Sequence, residues 1–277
     1  MEAMFSAMVD SMSASVQPAE HEYIGDDGLL HCAVCHKATQ VRIELFNQKK
    51  TVRCICDCVK RRREEEEQQM RLVANERRRK NCFGRDKYEE MRKWTFENDD
   101  RKNAKISDAM KRYADGFADF KKEKKGLLLY GTVGTGKSYY AASVANRLID
   151  KGYPVLMTNF SRIINDIQST FDGKQEIIDS LNDYPLVIFD DLGVERQTPF
   201  AEEMVYNIIN TRSESGLPFL VTTNLTADEI KKPDNIKLSR IYDRVLERCF
   251  PVEVAGASRR RQHVKDTYAD IKDKLGL

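Results

Sequence analysis

The chain has 277 residues, 46 basic against 44 acidic, with 41% hydrophobic and 32% charged residues. This balance excludes collagen-like, mucin-like and disulfide-dense secreted chains. The longest stretch without a charge runs only from Ser215 to Ala227, whereas a membrane helix needs about 20 apolar residues. No basic segment followed by an apolar core opens the chain, so no secretory signal is expected and a cytoplasmic protein is.

Met4, Phe5, Met8, Met12 and Val16 share one face of an expected N-terminal helix. Such a face suits a partner surface; the alternatives are packing on the cysteine module that follows, or a frayed terminus. Five of the seven cysteines follow in one window: Cys32, Cys35, Cys54, Cys56 and Cys58. Two knuckles, C-x-x-C and C-x-C-x-C, are what a tetrahedral zinc site needs. Cys32 and Cys35 form one ligand pair. Two of Cys54, Cys56 and Cys58 complete the set, and spacing does not choose between them. Four filled positions leave none for a substrate, so the zinc is expected to be structural. His31 and His36 are read as bystanders, and Cys82 and Cys249 as packing residues. Between the knuckles, Val41–Phe46 alternates as a strand of a hairpin would.

Residues 59–103 form an expected helical linker. Lys60–Lys80 holds nine basic and five acidic residues, Ser161–Ile230 four and thirteen, and Lys231–Leu277 twelve and seven. Basic flanks suggest an anionic partner such as nucleic acid, although solvated helix faces account for any single run equally well. Ile106–Phe117 has helical spacing. From Gly126 strands alternate with helices: strands at 127–130, 154–158, 186–189, 218–223 and 249–254, helices at 138–150, 161–171 and 200–215. This pattern predicts an α/β fold whose five-stranded parallel sheet is covered on both faces. The last strand contains Pro251 and belongs at an edge.

The first of these strands runs into Gly131-Thr132-Val133-Gly134-Thr135-Gly136-Lys137-Ser138, which is G-x-x-x-x-G-K-[ST], the P-loop. Its backbone N–H groups cradle phosphates, Lys137 reaches the β- and γ-phosphates, and the Ser138 hydroxyl ligates Mg²⁺. The helix that starts there points its N-terminus at the same anion. The strand Leu186–Phe189 ends in Asp190 and Asp191 and is expected beside the phosphate loop. Asp190 would serve the Mg²⁺ shell and Asp191 the attacking water. Asn224, at the tip of the next strand, is a candidate for the γ-phosphate or its water; the alternative is that it caps the following helix. Arg240 and Arg244 share a helix face. Either they pair with Asp243 and Glu247, or one is offered to a neighbouring subunit as an arginine finger.

In this order the motifs resemble the AAA+ helicase loaders of the DnaC/DnaI type, whose ATPase module the IstB transposition helper shares. The resemblance covers Ala104–Tyr268. It implies Walker A at Gly131–Ser138, Walker B at Asp190 and Asp191, sensor 1 at Asn224, an arginine finger at Arg244, and sensor 2 at Arg260 within Gly256-Ala257-Ser258-Arg259-Arg260. Too few residues separate Arg244 from Arg260 for a helical lid domain. The implied protein is an Mg²⁺-dependent ATPase, binding ATP and ADP, that self-associates through the finger and loads a hexameric replicative helicase onto single-stranded DNA. Its expected parts are a zinc module over 1–58, the linker over 59–103 and the ATPase domain over 104–277. Two other functions fit the motifs: an IstB-like transposition helper, or a zinc-containing DNA-binding regulator with a nucleotide switch.

Overall fold

The computed structural model describes residues 18–45, 48–170, 173–194, 198–233 and 235–260, with 268, 271–272 and 274–275. The expected Met-rich helix over 1–16 lies outside them. The chain divides into two units, residues 1–74 and 75–277.

The first unit holds two antiparallel ribbons. β1 (Glu22–Ile24) pairs with β2 (Leu30–Cys32), and β3 (Gln40–Leu45) with β4 (Gln48–Arg53) in unbroken register from Gln40↔Arg53 to Leu45↔Gln48. Among the described residues of this unit, Leu30, Cys32 and Cys56 are the buried hydrophobic ones. A two-stranded ribbon this small is marginal by itself and needs further packing or a staple such as a metal.

A long helix, α1 (Asp57–Met91), starts in the first unit and ends in the second. It is broken at Gly84, which takes φ 71°, ψ 167°. The break suits glycine because φ is positive, a conformation that side-chain-bearing residues rarely adopt. Cys82 and Phe83 just before the break and Tyr88 and Met91 after it are buried, whereas residues 60–73 are exposed around the whole helix. Charge blocks without an apolar stripe explain the exposure.

In the second unit come α2 (Ala104–Asp115), α3 (Phe117–Lys122), β5 (Gly126–Tyr130), α4 (Lys137–Asp150), β6 (Val155–Thr158), α5 (Phe160–Ser169), α6 (Lys174–Ser180), β7 (Leu186–Leu192), α7 (Pro199–Glu214), β8 (Phe219–Thr223), α8 (Ala227–Lys231), α9 (Ile236–Arg248) and β9 (Cys249–Glu253). The five strands β5 to β9 form one parallel sheet of order β6-β7-β8-β5-β9. The Pro-containing β9 is an edge, as its sequence requires. The acidic strand β7 reaches the phosphate loop past β8, which lies between it and the P-loop strand β5, and Asp190 Oδ1 stands 2.8 Å from Ser138 Oγ of the loop.

Alternate residues of the strands feed two cores. Leu127, Leu129, Ile188 and Leu220 pack with α2 and α4, while Leu128, Val187, Phe189, Phe219 and Val221 pack with α5, α7 and α9. Continuous apolar strands are required because both faces are covered. Arg212 of α7 is 1% exposed. Its guanidinium donates to the Leu181, Tyr184 and Pro218 carbonyls, each at 2.8 Å, bracing the chain before β7 and β8. Burial pushes this arginine down to about 10. Between Arg244 and Arg260 stand only the end of α9, β9 and a short irregular run, so no helical lid is inserted there. Among the described residues no helix is long and apolar enough to cross a membrane.

Candidate nucleotide site and cysteine cluster

Strand β5 delivers the chain to the P-loop, and α4 carries it away. Gly131, Gly134 and Gly136 all take positive φ, the conformation that curls successive N–H groups around an anion. Thr135 Oγ1 closes the turn by donating to the Thr132 carbonyl at 3.0 Å. Lys137 is 5% exposed, and its Nζ donates to the Gly131 and Thr132 carbonyls at 2.8 Å each. Burial holds its pKa below the usual lysine range, against the pull of Asp191 and Asp190. The ammonium thus lies inside the loop, tethered by acceptors that a phosphate can replace. Val133 stands at the exposed tip.

Asp190 and Asp191 lie at the end of β7, where the register with β8 shifts between Phe189 and Leu192. Asp191 takes φ 61°, a left-handed conformation that costs a non-glycine residue on the order of 1–2 kcal/mol. The two carboxylates go to different partners. Asp190 Oδ1 accepts from Ser138 Oγ at 2.8 Å, joining the end of β7 to the phosphate-loop motif across the intervening strand. It also accepts from Thr222 Oγ1 at 2.7 Å. Asp191 Oδ1 accepts from Asn224 Nδ2 at 3.4 Å. Burial, then the neighbouring Asp190 charge, raises the Asp191 pKa above the usual carboxylate value.

Asn224 does not cap the following helix. Thr226 caps α8 in a capping box with Glu229, which leaves Asn224 facing the acidic pair. Arg244 donates to Glu247 Oε2 at 2.9 Å on the half-exposed surface of α9. Arg240 is exposed on the same helix. Arg260 is exposed, and its charge acts on Asp191, as does that of Lys87.

Three residues of the site escaped sequence reasoning. Thr222 is fully buried, and its hydroxyl bridges Asp190 Oδ1 and the Asp191 N–H, the latter at 2.8 Å. The T-T-N run signalled it, as a polar residue inside an apolar strand. Lys87 shares a small cavity with Asp190 and Arg162, and only the fold brings it there. Arg259, not Arg260, makes the direct contacts with the P-loop end of α4.

In the first unit the thiols of Cys32, Cys35, Cys56 and Cys58 lie within 4.8 Å of one another. Tetrahedral Zn–S bonds of about 2.3 Å place sulfurs about 3.8 Å apart, so this set fits a closed Cys₄ site. The Lys37 backbone N–H holds the Cys35 thiol down at about 6, while hydrogen bonding to Cys35 pushes the Cys58 thiol up to about 11. Cys54 is outside the set; its thiol donates to the Ala38 carbonyl at 3.4 Å. His31 is engaged by the His36 carbonyl and Asp27, and His36 by the Tyr23 hydroxyl, so neither completes the cluster.

Comparison with known proteins places this arrangement. Replicative helicase loader DnaI of Bacillus subtilis (strain 168) is 26% identical over 148 residues, 49% of this chain and 48% of that protein. Replicative helicase loader DnaC of Escherichia coli (strain K12) is 26% identical over 123 residues, 43% of this chain and 49% of that protein. The matched region therefore spans about half the length of these relatives. The crystal structure of DnaI superposes with a TM-score of 0.54 at 22% identity, covering 66% of this chain and 99% of that one. That of the DnaC helicase loader gives 0.51 at 20% identity, covering 58% and 96%. These likenesses establish the AAA+ fold. The model of the IstB-like ATP binding proteins matches residues 59–267, three quarters of the sequence, and the chain belongs to that family.

Proposed function

We propose that this protein is an Mg²⁺-dependent ATPase that loads a hexameric replicative helicase onto single-stranded DNA, acting in the cytoplasm. The observation that carries the ATPase reading is the chain of contacts Ser138–Asp190–Thr222–Asp191–Asn224, which assembles three separate motifs around one phosphate loop. The loader reading rests on the relatives named replicative helicase loader. The expected division into a zinc module (1–58), a linker (59–103) and an ATPase domain (104–277) belongs to this proposal.

In this reading the backbone N–H groups of Gly131–Ser138 and the Lys137 ammonium bind the ATP or ADP phosphates. Ser138 and Asp190 would hold Mg²⁺, which neutralises phosphate charge. Asp191, with its raised affinity for a proton, orients the attacking water together with Asn224. Arg260 approaches the phosphates from the same chain. Arg244 exchanges its Glu247 partner for a neighbouring subunit's γ-phosphate, so self-association completes the site. Cys32, Cys35, Cys56 and Cys58 would hold a structural zinc that stabilises the small N-terminal unit as the helicase-facing surface.

The test is co-purification of the full chain with hexameric replicative helicases, followed by ATP-dependent transfer of the helicase to a single-stranded DNA circle. Stable association with transfer is expected. Association with a transposase instead would favour the IstB-like role. Nucleotide binding without single-strand-stimulated turnover would favour the regulator.

A further inference from the structure

The run Gly256–Arg260 lies on the P-loop. A Cβ built on Gly134 would stand 2.2 Å from the Ser258 hydroxyl, and one on Gly136 would stand 3.5 Å from Arg259 Nε. The Arg259 backbone N–H donates to the Gly134 carbonyl at 2.9 Å. Its guanidinium reaches in another direction. Nη2 donates to the Tyr140 hydroxyl at 3.0 Å and lies 3.2 Å from Asp100 Oδ1, while Nη1 lies 3.7 Å from Asp99 Oδ1. The group also stands 5.9 and 5.5 Å from the ring centroids of Tyr139 and Tyr140.

Asp99 gives this contact its meaning. Its side chain is 0% exposed, and neither carboxylate oxygen accepts a hydrogen bond. A buried carboxylate without donors is costly unless a cation faces it. Arg259 is the cation in ion-pair contact with Asp99, so the carboxylate and the guanidinium hold each other in place. The segment around Asp99 is gripped from the same side by other bonds: Tyr139 Oη donates to the Thr95 carbonyl at 2.7 Å, and Asn103 Nδ2 to the Ala255 carbonyl at 3.2 Å. Residues 95–103 are the segment through which the chain passes from α1 into α2.

We infer that Arg259 is a positioning residue that couples nucleotide in the P-loop to the 95–103 segment, its backbone holding the loop and its guanidinium holding Asp99 and Asp100. This rests on the nucleotide-site reading above. Coupling is reciprocal: whatever the nucleotide gains from the ordered segment, the segment gains from the nucleotide.

The test uses the full chain, a fluorescent ADP analogue with Mg²⁺ for affinity, and hydrogen exchange of peptides over 95–103 and 131–138. In the wild type, saturating ADP protects both regions. In Arg259→Ala, affinity falls about tenfold, within the usual span of coupling. At saturation the protection of 95–103 is lost while that of 131–138 remains. Arg259→Lys restores part of both effects, because it keeps the charge and loses the fork. If the alanine variant does not fold, Arg259→Gln repeats the test with the stem retained. Unchanged ADP-dependent protection of 95–103 in these variants overturns the coupling and leaves the nucleotide site standing. Unchanged ADP affinity in Lys137→Ala overturns the nucleotide-site reading, and this inference with it.

Discussion

Replacing Thr222 by valine keeps the shape of a fully buried side chain and deletes one hydroxyl. That hydroxyl donates to Asp190 Oδ1 at 2.7 Å and accepts from the Asp191 N–H at 2.8 Å, where the β7–β8 register shifts. Losing a hydrogen bond to a carboxylate costs about 1.5–3 kcal/mol, and leaving a buried N–H without its acceptor costs about 1–3 kcal/mol. The added methyl returns about 0.8 kcal/mol. The net is a loss of about 2–5 kcal/mol, which for a unit of this size lowers the unfolding midpoint by roughly 2–4 °C per kcal/mol. Thr222→Ser, which keeps both bonds and removes a methyl, should lose only about 1 kcal/mol. Thermal unfolding measures the stability, and a phosphate-release assay measures turnover. Valine should reduce turnover more than serine, because Asp190 and Asp191 lose their common anchor. A valine variant as stable and as active as the serine variant would refute the claim that this hydroxyl organises the acidic pair.

Asp191→Asn should abolish most turnover and raise stability at neutral pH. Burial and Asp190 raise the folded pKa of Asp191, so its ionisation opposes folding, and the advantage of asparagine should disappear as pH falls below the ordinary aspartate value of about 3.9. Urea titrations from pH 3 to 8 with equal stability throughout would contradict this. Cys54→Ser should retain one zinc per chain by elemental analysis, whereas Cys56→Ser should lose it and expose residues 20–60 to protease. Arg244→Ala should bind ATP normally and fail to hydrolyse it. Mixed with Lys137→Ala, it should regain part of the activity, because some interfaces then join a good loop to a good finger. No recovery on mixing would assign Arg244 to its Glu247 pair alone.

The parts of the fold legible in the sequence are those in which one local pattern has one physical solution. Apolar strands such as Leu186–Phe189 announced a doubly covered sheet, and Gly131–Ser138 announced the phosphate loop with its flanking elements. Strand order was not legible, since hydrophobicity does not say that β8 separates the acidic strand from β5. Choosing among Cys54, Cys56 and Cys58 needed three dimensions, because two spacings bring a thiol pair to one metal and only the direction of each Cβ decides. Arg259 and Arg260 are chemically identical neighbours. One is folded onto Tyr140 and Asp99 and the other is exposed, a difference set by contacts more than a hundred residues away in sequence. Thr222 was overlooked because Asn224, at the strand tip, looked the more reactive group.

Arg212 bears on how genetic data for this protein are to be read. A screen for lost ATP turnover should return Arg212 and Arg244 variants together. Only one of them would belong to the chemistry of the subunit boundary. Arg212 closes three backbone carbonyls from inside the protein, so its variants should vanish from the soluble fraction before any assay is run. Arg244 variants should accumulate at wild-type abundance and interfere with the normal copy when both are expressed. Abundance and dominance, not the severity of the phenotype, would then separate a lesion of folding from a lesion of mechanism.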